Sequence, residues 1–162
     1  EVAKFTKENN GIYELKSLKK LNYLRAIAHE TLRFTGSTFN IPRIVLRSDV
    51  KLAGYNIPKG AVVLDAYRNF SMNAKFWKDP TTFNPDNHLD GNGMFKKQKA
   101  FCGFGMGRRD CPGQSLALRA LYLLIGKLLL RYKFELSSDG LKQVNQVENN
   151  YDRQTNHYDN IA

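Results

Sequence analysis

Two segments of the chain repeat their apolar residues at helical spacing. After Asn22, the residues Leu24, Ile27, Ala28, Thr31 and Leu32 fall at i, i+3, i+4, i+7 and i+8. This predicts an amphipathic helix with Asn22 as its N-cap, ended by Gly36 and the Ile41-Pro42 step. After Gly113 a Leu-rich stretch predicts a second helix that ends near Arg131 to Lys133. Arg119, Lys127 and Arg131 interrupt that stretch, and its longest charge-free run, Ala120 to Gly126, is far short of the ~20 residues a bilayer needs. The expectation is a core helix rather than a membrane anchor. Residues 1–20 are polar and Lys-rich, with Leu15, Leu18 and Leu21 at helical spacing.

Between the helices the period changes. Val50, Leu52, Tyr55 and Ile57 flank a turn at Gly54, and Ala61 to Leu64 is a β-branched run after Pro58-Lys59-Gly60, so a small hairpin is expected. Residues 67–112 lack periodicity but hold Phe70, Phe76, Trp77, Phe83, Phe95, Phe101 and Phe104, which predicts ordered coil. A turn is expected at Ser137 to Gly140. The Asn/Gln-rich stretch 142–162 is expected to be a poorly ordered tail, leaving residues 1–141 as the folded portion.

Composition is that of a globular chain, 42% hydrophobic and 25% charged over 162 residues. Twenty-five Lys and Arg against 15 Asp and Glu give a net charge of +10, which calls for an acidic partner of some kind. Two cysteines exclude a disulfide framework and a four-cysteine zinc site.

One cysteine changes the picture. Cys111 lies in the glycine-rich run Phe104-Gly105-Met106-Gly107-Arg108-Arg109-Asp110-Cys111-Pro112-Gly113, directly before the second helix. Backbone N–H groups of such a loop, a helix N-terminus and two neighbouring arginines all favour a thiolate, usable as a metal ligand or a nucleophile. Asp110 works against it. On these features alone a buried free cysteine, packing as a small apolar group, is the equal alternative.

The run resembles the haem-binding loop of the cytochromes P450, Phe-x-x-Gly-x-Arg-x-Cys-x-Gly. Phe104, Gly107, Arg109, Cys111 and Gly113 occupy all five fixed positions, a coincidence on the order of 10⁻⁵ for an unrelated chain of this length. The resemblance implies a mostly α fold with small β-sheets (α+β), the C-terminal part of the P450 fold, incomplete. It implies haem as cofactor, with Cys111 as the axial thiolate ligand, Phe104 near the sulfur and Arg109 paired with a propionate, for which an arginine fork is suited. Glu30-Thr31-Leu32-Arg33 matches the family's Glu-x-x-Arg, whose role there is structural. Both residues fall off the apolar stripe, where a surface ion pair worth ~0.2–0.5 kcal/mol is the alternative. Arg43, after Ile41-Pro42, is the candidate for the other propionate.

The sequence departs from the family in places. Where an arginine often completes a Glu–Arg–Arg cluster, this chain has Asn87, followed by His88, which is expected to be satisfied or exposed rather than a ligand. Gly103 stands where proline is common, implying a looser loop entry, and Cys102 reads as packing. The resemblance covers about residues 15–136. With Glu1 rather than Met at the start, it implies a partial sequence, or the remnant of a broken gene, with no catalytic residue of its own and inactive alone.

The implied parent is a monooxygenase that uses O₂, a small organic substrate and electrons from a reductase, with electron density from the thiolate assisting O–O cleavage. An acidic reductase would dock on the basic stretch from Met94 to Lys133, whose only acid is Asp110. Membrane attachment, at the endoplasmic reticulum, would come only through an N-terminal region outside these residues. A haem-free structural remnant is the alternative. A nucleic-acid-binding module would use the charge, but the chain has no zinc-finger pattern or aromatic-interleaved basic strand, and no nucleic acid is expected.

Overall fold

The computed structural model describes residues 1–10, 17, 20–35, 42–48, 50–135 and 137. It contains α1 (Val2–Glu8), α2 (Asn22–Thr35), β1 (Arg43–Ile44), β2 (Val50–Leu52), β3 (Tyr55–Ile57), β4 (Val62–Val63), α3 (Tyr67–Ser71) and α4 (Gln114–Arg131). Helices with small antiparallel sheets are the expected class. The chain divides into two compact units, Glu1–Leu130 and Arg131–Ala162. The expected tail at 142–162, the helical spacing of Leu15 and Leu18, and most of the turn expected at 137–140 lie outside the described residues.

Helix α1 was not legible as such, because only Val2 and Phe5 mark its buried side. They join Leu21, Leu24, Ala28 and Tyr122 in one core cluster, against which Leu118, Leu123 and Ile125 pack. The α1 segment also caps α2. Asn22 is the first residue of α2 rather than its cap, and the Glu1 carboxylate accepts the Tyr23 and Leu24 N–H groups at 3.2 and 2.9 Å. An anion at this end also suits the helix dipole.

The expected stripe on α2 is half right. Leu24 and Ala28 are buried, but Thr31 is exposed, and the helix buries a second face made of Ala26, His29, Glu30 and Arg33. A scale that counts only apolar residues misses a buried face that is polar.

The hairpin β2–β3 pairs Val50 with Ile57, Lys51 with Asn56 and Leu52 with Tyr55. Its two turn residues, Ala53 (φ 49°) and Gly54 (φ 88°), are both left-handed, the twist a two-residue hairpin needs. The β-branched run supplies β4, which pairs with β1 through Arg43 with Val63 and Ile44 with Val62.

Helix α4 forms where expected, yet it is not a core helix in these residues. Only Tyr122 and Gly126 are buried, while Leu116 and Leu124 are 75% and 59% exposed. One side meets the α1–α2 cluster, and nothing among the described residues covers the other. No described helix is long and apolar enough to cross a membrane.

Candidate functional site

Two pieces of the unpatterned stretch converge near α2. The first is a 3-10 turn over Pro85–His88. Its sequence dictates it: the Asn84 side chain accepts the Asp86 N–H at 3.0 Å, and Pro85 supplies a fixed φ at the first position. Residues three apart eclipse in such a turn, so Pro85 and His88 share its buried side.

That side faces Glu30 and Arg33, which are 0% and 1% exposed. The pair is therefore not on the surface. Arg33 uses all five of its N–H groups. Nε and Nη2 donate to the two Glu30 oxygens at 2.8 and 2.7 Å, Nη1 donates to the Ser71 and Pro80 carbonyls at 2.6 and 2.8 Å, and Nη2 also reaches the Thr82 carbonyl at 3.2 Å. Glu30 is equally saturated. Besides Arg33 it accepts the Asn84 N–H at 2.8 Å and His88 Nε2 at 3.1 Å. Burial alone would raise the Glu30 pKa. The hydrogen bonds from Arg33, His88 and Asn84, with the charge of Arg33, outweigh it and hold the group at about 2.

The third cluster member is thus His88, not Asn87. The Asn87 side chain makes no bond to the cluster, and its Nδ2 is buried without a partner among the described residues. The reason is the turn's threefold period, which puts residue 88 over Pro85 and carries residue 87 off the buried side. His88 is wholly buried, so it is satisfied at Nε2 rather than exposed. His29 lies beside it, ring centroids 5.7 Å apart, and donates Nδ1–H to the Arg25 carbonyl at 2.8 Å. Burial lowers the His29 pKa to about 4, with help from the charges of His88, Arg25 and Lys97 against that hydrogen bond.

The second piece is the cysteine loop. Gly105 (φ 81°) and Gly107 (φ 75°) turn the chain back through left-handed backbone, which any other residue adopts at a cost. Residues Gly107–Arg109 form a 3-10 turn, and the loop closes when the Cys111 N–H donates to the Phe104 carbonyl at 2.8 Å. Helix α4 begins three residues later. Cys111 is exposed, and a Cβ on Gly113 would stand 3.8 Å from its sulfur, so glycine there keeps that flank of Sγ clear. Arg109 and Arg43 are exposed, and Phe104 is half-buried. Gly103 is not slack: a Cβ there would sit 2.6 Å from the Phe101 ring. Cys102 is buried, and burial, then the Asp65 charge, push its thiol pKa up, with the nearby Tyr67 hydroxyl opposing the shift.

An exposed lone sulfur, held by backbone alone at the mouth of a helix, suits a cofactor that takes one soft protein ligand. The described residues contain no cluster of three or more His, Cys, Asp or Glu able to hold a metal, which a haem with one protein ligand does not need. The family model for cytochrome P450 matches residues 1–152. The chain belongs to the cytochrome P450 family. It is 39% identical to cytochrome P450 2M1 of Oncorhynchus mykiss over 71% of this chain and 23% of that one. It is 40% identical to cytochrome P450 2J3 of Rattus norvegicus over 70% and 22%. It is 33% identical to hexahomomethionine N-hydroxylase of Arabidopsis thaliana over 75% and 24%. The chain spans about a quarter of the length of these relatives.

Proposed function

We propose that residues 1–141 carry the thiolate side of a haem monooxygenase site. The observation that carries this reading is the exposed Cys111 sulfur at the end of a backbone-closed loop, in a chain of this family. In it Cys111 holds the iron and Phe104 flanks the sulfur. Gly107 and Gly113 leave room for the macrocycle, and Arg109 and Arg43 pair with its propionates. Glu30, Arg33 and His88 brace the coil beneath. Bound haem supplies the activation of O₂ and the insertion of one oxygen atom into an organic substrate. The protein's part is to hold a single thiolate in place and to keep its backbone bonded. The hydroxylase name of the Arabidopsis relative supports the reaction class. Exposed Lys96, Lys97, Lys99, Arg108 and Arg119 suit an acidic electron donor.

In this reading these residues supply one face of a haem, and turnover needs groups on the other face that no described residue provides. The test is optical. Chain loaded with haem and reduced under carbon monoxide gives the red-shifted Soret band of thiolate ligation. Cys111→Ala abolishes it and Cys102→Ala keeps it. A band that survives Cys111→Ala overturns the assignment.

A further inference from the structure

We propose that Met106 is a redox-modification site: hydrogen peroxide converts its thioether to the sulfoxide, and the new oxygen draws on the arginines of the cysteine loop, so that the loop holds haem less tightly. The effect on haem rests on the function proposed above; the modification itself does not. Met106 stands between Gly105 and Gly107. It is 59% exposed, and its backbone is extended as it enters the Gly107–Arg109 turn, where its side chain makes no capping hydrogen bond. Neither neighbour has a side chain to shield it, and a Cβ on Gly107 would meet nothing within 4 Å.

The chain's two other methionines are the internal comparison. Met72 is half-buried, and its sulfur faces Arg33 Nη1 at 3.7 Å. Met94 is 54% exposed, nearly as open as Met106, but its sulfur accepts the Asn22 Nδ2–H at 3.5 Å. A sulfur lone pair is what attacks the peroxide, and a lone pair engaged by a donor is less available. Exposure sets Met72 apart, and the hydrogen bond separates Met94 from Met106. In the reaction the sulfur bonds to one peroxide oxygen, the O–O bond breaks, sulfur gives up two electrons, and the other oxygen leaves as water. The oxidant arises where O₂ and electrons meet: O₂ that takes up two electrons and two protons without oxidising a substrate leaves as hydrogen peroxide. A thioether is a weak acceptor, and the sulfoxide is a polar group. Arg108 and Arg109, exposed two and three residues away, are the donors beside it. An arginine turned to the sulfoxide is withdrawn from a propionate. A methionine sulfoxide reductase restores the thioether.

The experiment exposes the full chain, without haem, to a limiting dose of hydrogen peroxide, then reduces and alkylates the thiols and maps tryptic peptides by mass. The lysines and arginines of the chain put each methionine in its own peptide and part Met106 from Cys111. Met106 should oxidise first, about two- to fivefold faster than Met94, the weight of one weak hydrogen bond, with Met72 last. Asn22→Asp keeps the acceptor for the Phe95 N–H and removes the donor to Met94, so Met94 should draw level with Met106. Met94 or Met72 oxidising as fast as Met106 in the native chain overturns the site, as does a Met94 rate unmoved in Asn22→Asp. Haem titration reads the consequence. Met106→Gln, with an amide oxygen in place of the sulfoxide's, should bind haem roughly tenfold more weakly, as for one charge-assisted hydrogen bond lost. Met106→Leu should keep the native affinity. Equal affinities in these two variants overturn the effect on the loop. If no chain takes up haem with a thiolate band, the proposed function fails, and the peptide ranking still decides the site.

Discussion

The buried ionic cluster and the cysteine loop are built on opposite plans. In the first, side chains do everything. Five donors of Arg33 and both oxygens of Glu30 are satisfied in a volume closed to water, and three backbone carbonyls, of Ser71, Pro80 and Thr82, are held by one guanidinium. In the second, the backbone does everything. Two left-handed glycines and the backbone bonds donated by the Gly105, Asp110 and Cys111 N–H groups shape the loop, while Cys111, Arg108 and Arg109 stand in solvent. The first plan stores stability in a few residues, and removing one of them strands its partner. The second leaves side chains free for a ligand, and contributes little to stability through them.

The comparison breaks most visibly at Glu30. Removing one partner of a buried pair strands the other charge and costs about 3–5 kcal/mol. Glu30→Ala should lose that much in urea unfolding, and the circular dichroism of the folded chain at low urea should already be reduced. A loss below ~1 kcal/mol would mean that the pair behaves as an exposed one.

Acid should separate the cluster's members. The folded state holds His29 near 4 against its ordinary 6.5, so the unfolded chain takes up the proton first as pH falls. Stability is therefore full above about 6.5 and declines as pH drops toward about 4. Glu30, held at about 2 against 4.5, adds stability that is present above 4.5 and lost between there and about 2. The urea midpoint should fall in two overlapping stages. His29→Phe should remove the upper stage and leave the lower, and a midpoint flat from pH 7 to 5 in the native chain would contradict the burial of His29.

How much of this was legible in the residues follows from the same contrast. A site built from backbone leaves its mark in sequence, because glycines, a cysteine and a proline stand at fixed spacing. The loop from Phe104 to Gly113 was readable for that reason. A site built from side-chain saturation leaves almost none. Glu30 and Arg33 lie off the apolar stripe, and no period distinguishes a buried polar face from a solvated one. His88 was harder still: its membership depends on the threefold period of a four-residue turn, too short to show as a pattern. Asn84 followed by Pro85 and Asp86, the capping signal of that turn, was the clue that could have found it. The open side of α4 was illegible for another reason, since its leucines say that something is covered without saying by what.

A smaller effect is expected in the loop. At Gly105 a Cβ would meet the Asp110 Cα at 3.6 Å and the Arg109 carbonyl oxygen at 3.8 Å, both ordinary contacts, so space is not the obstacle. Its φ of 81° is, and a left-handed alanine costs about 1–2 kcal/mol. Gly105→Ala should lower stability by no more than that, well below Glu30→Ala, while weakening haem uptake because the turn itself shifts. Equal losses from the two substitutions would dissolve the distinction between the plans.

The smallest stability effect should come from the residue proposed as the haem ligand. Cys111 is exposed, and the bond that closes its loop uses its N–H, which alanine retains. Cys111→Ala should therefore stay within about 0.5 kcal/mol of the native chain, as exposed substitutions usually do. Cys102 is the control. It is buried, and its loss to alanine removes sulfur from a packed site and opens a small void, a cost of about 1 kcal/mol. Stability should rank Cys102→Ala below Cys111→Ala, and the thiolate band should rank them the other way round. This reversal needs both plans to hold at once, one cysteine kept for packing and the other for a ligand. If Cys111→Ala were the more destabilising of the two, the sulfur would be part of the fold's own packing, and the loop would have to be described as a core element rather than as a ligand mount.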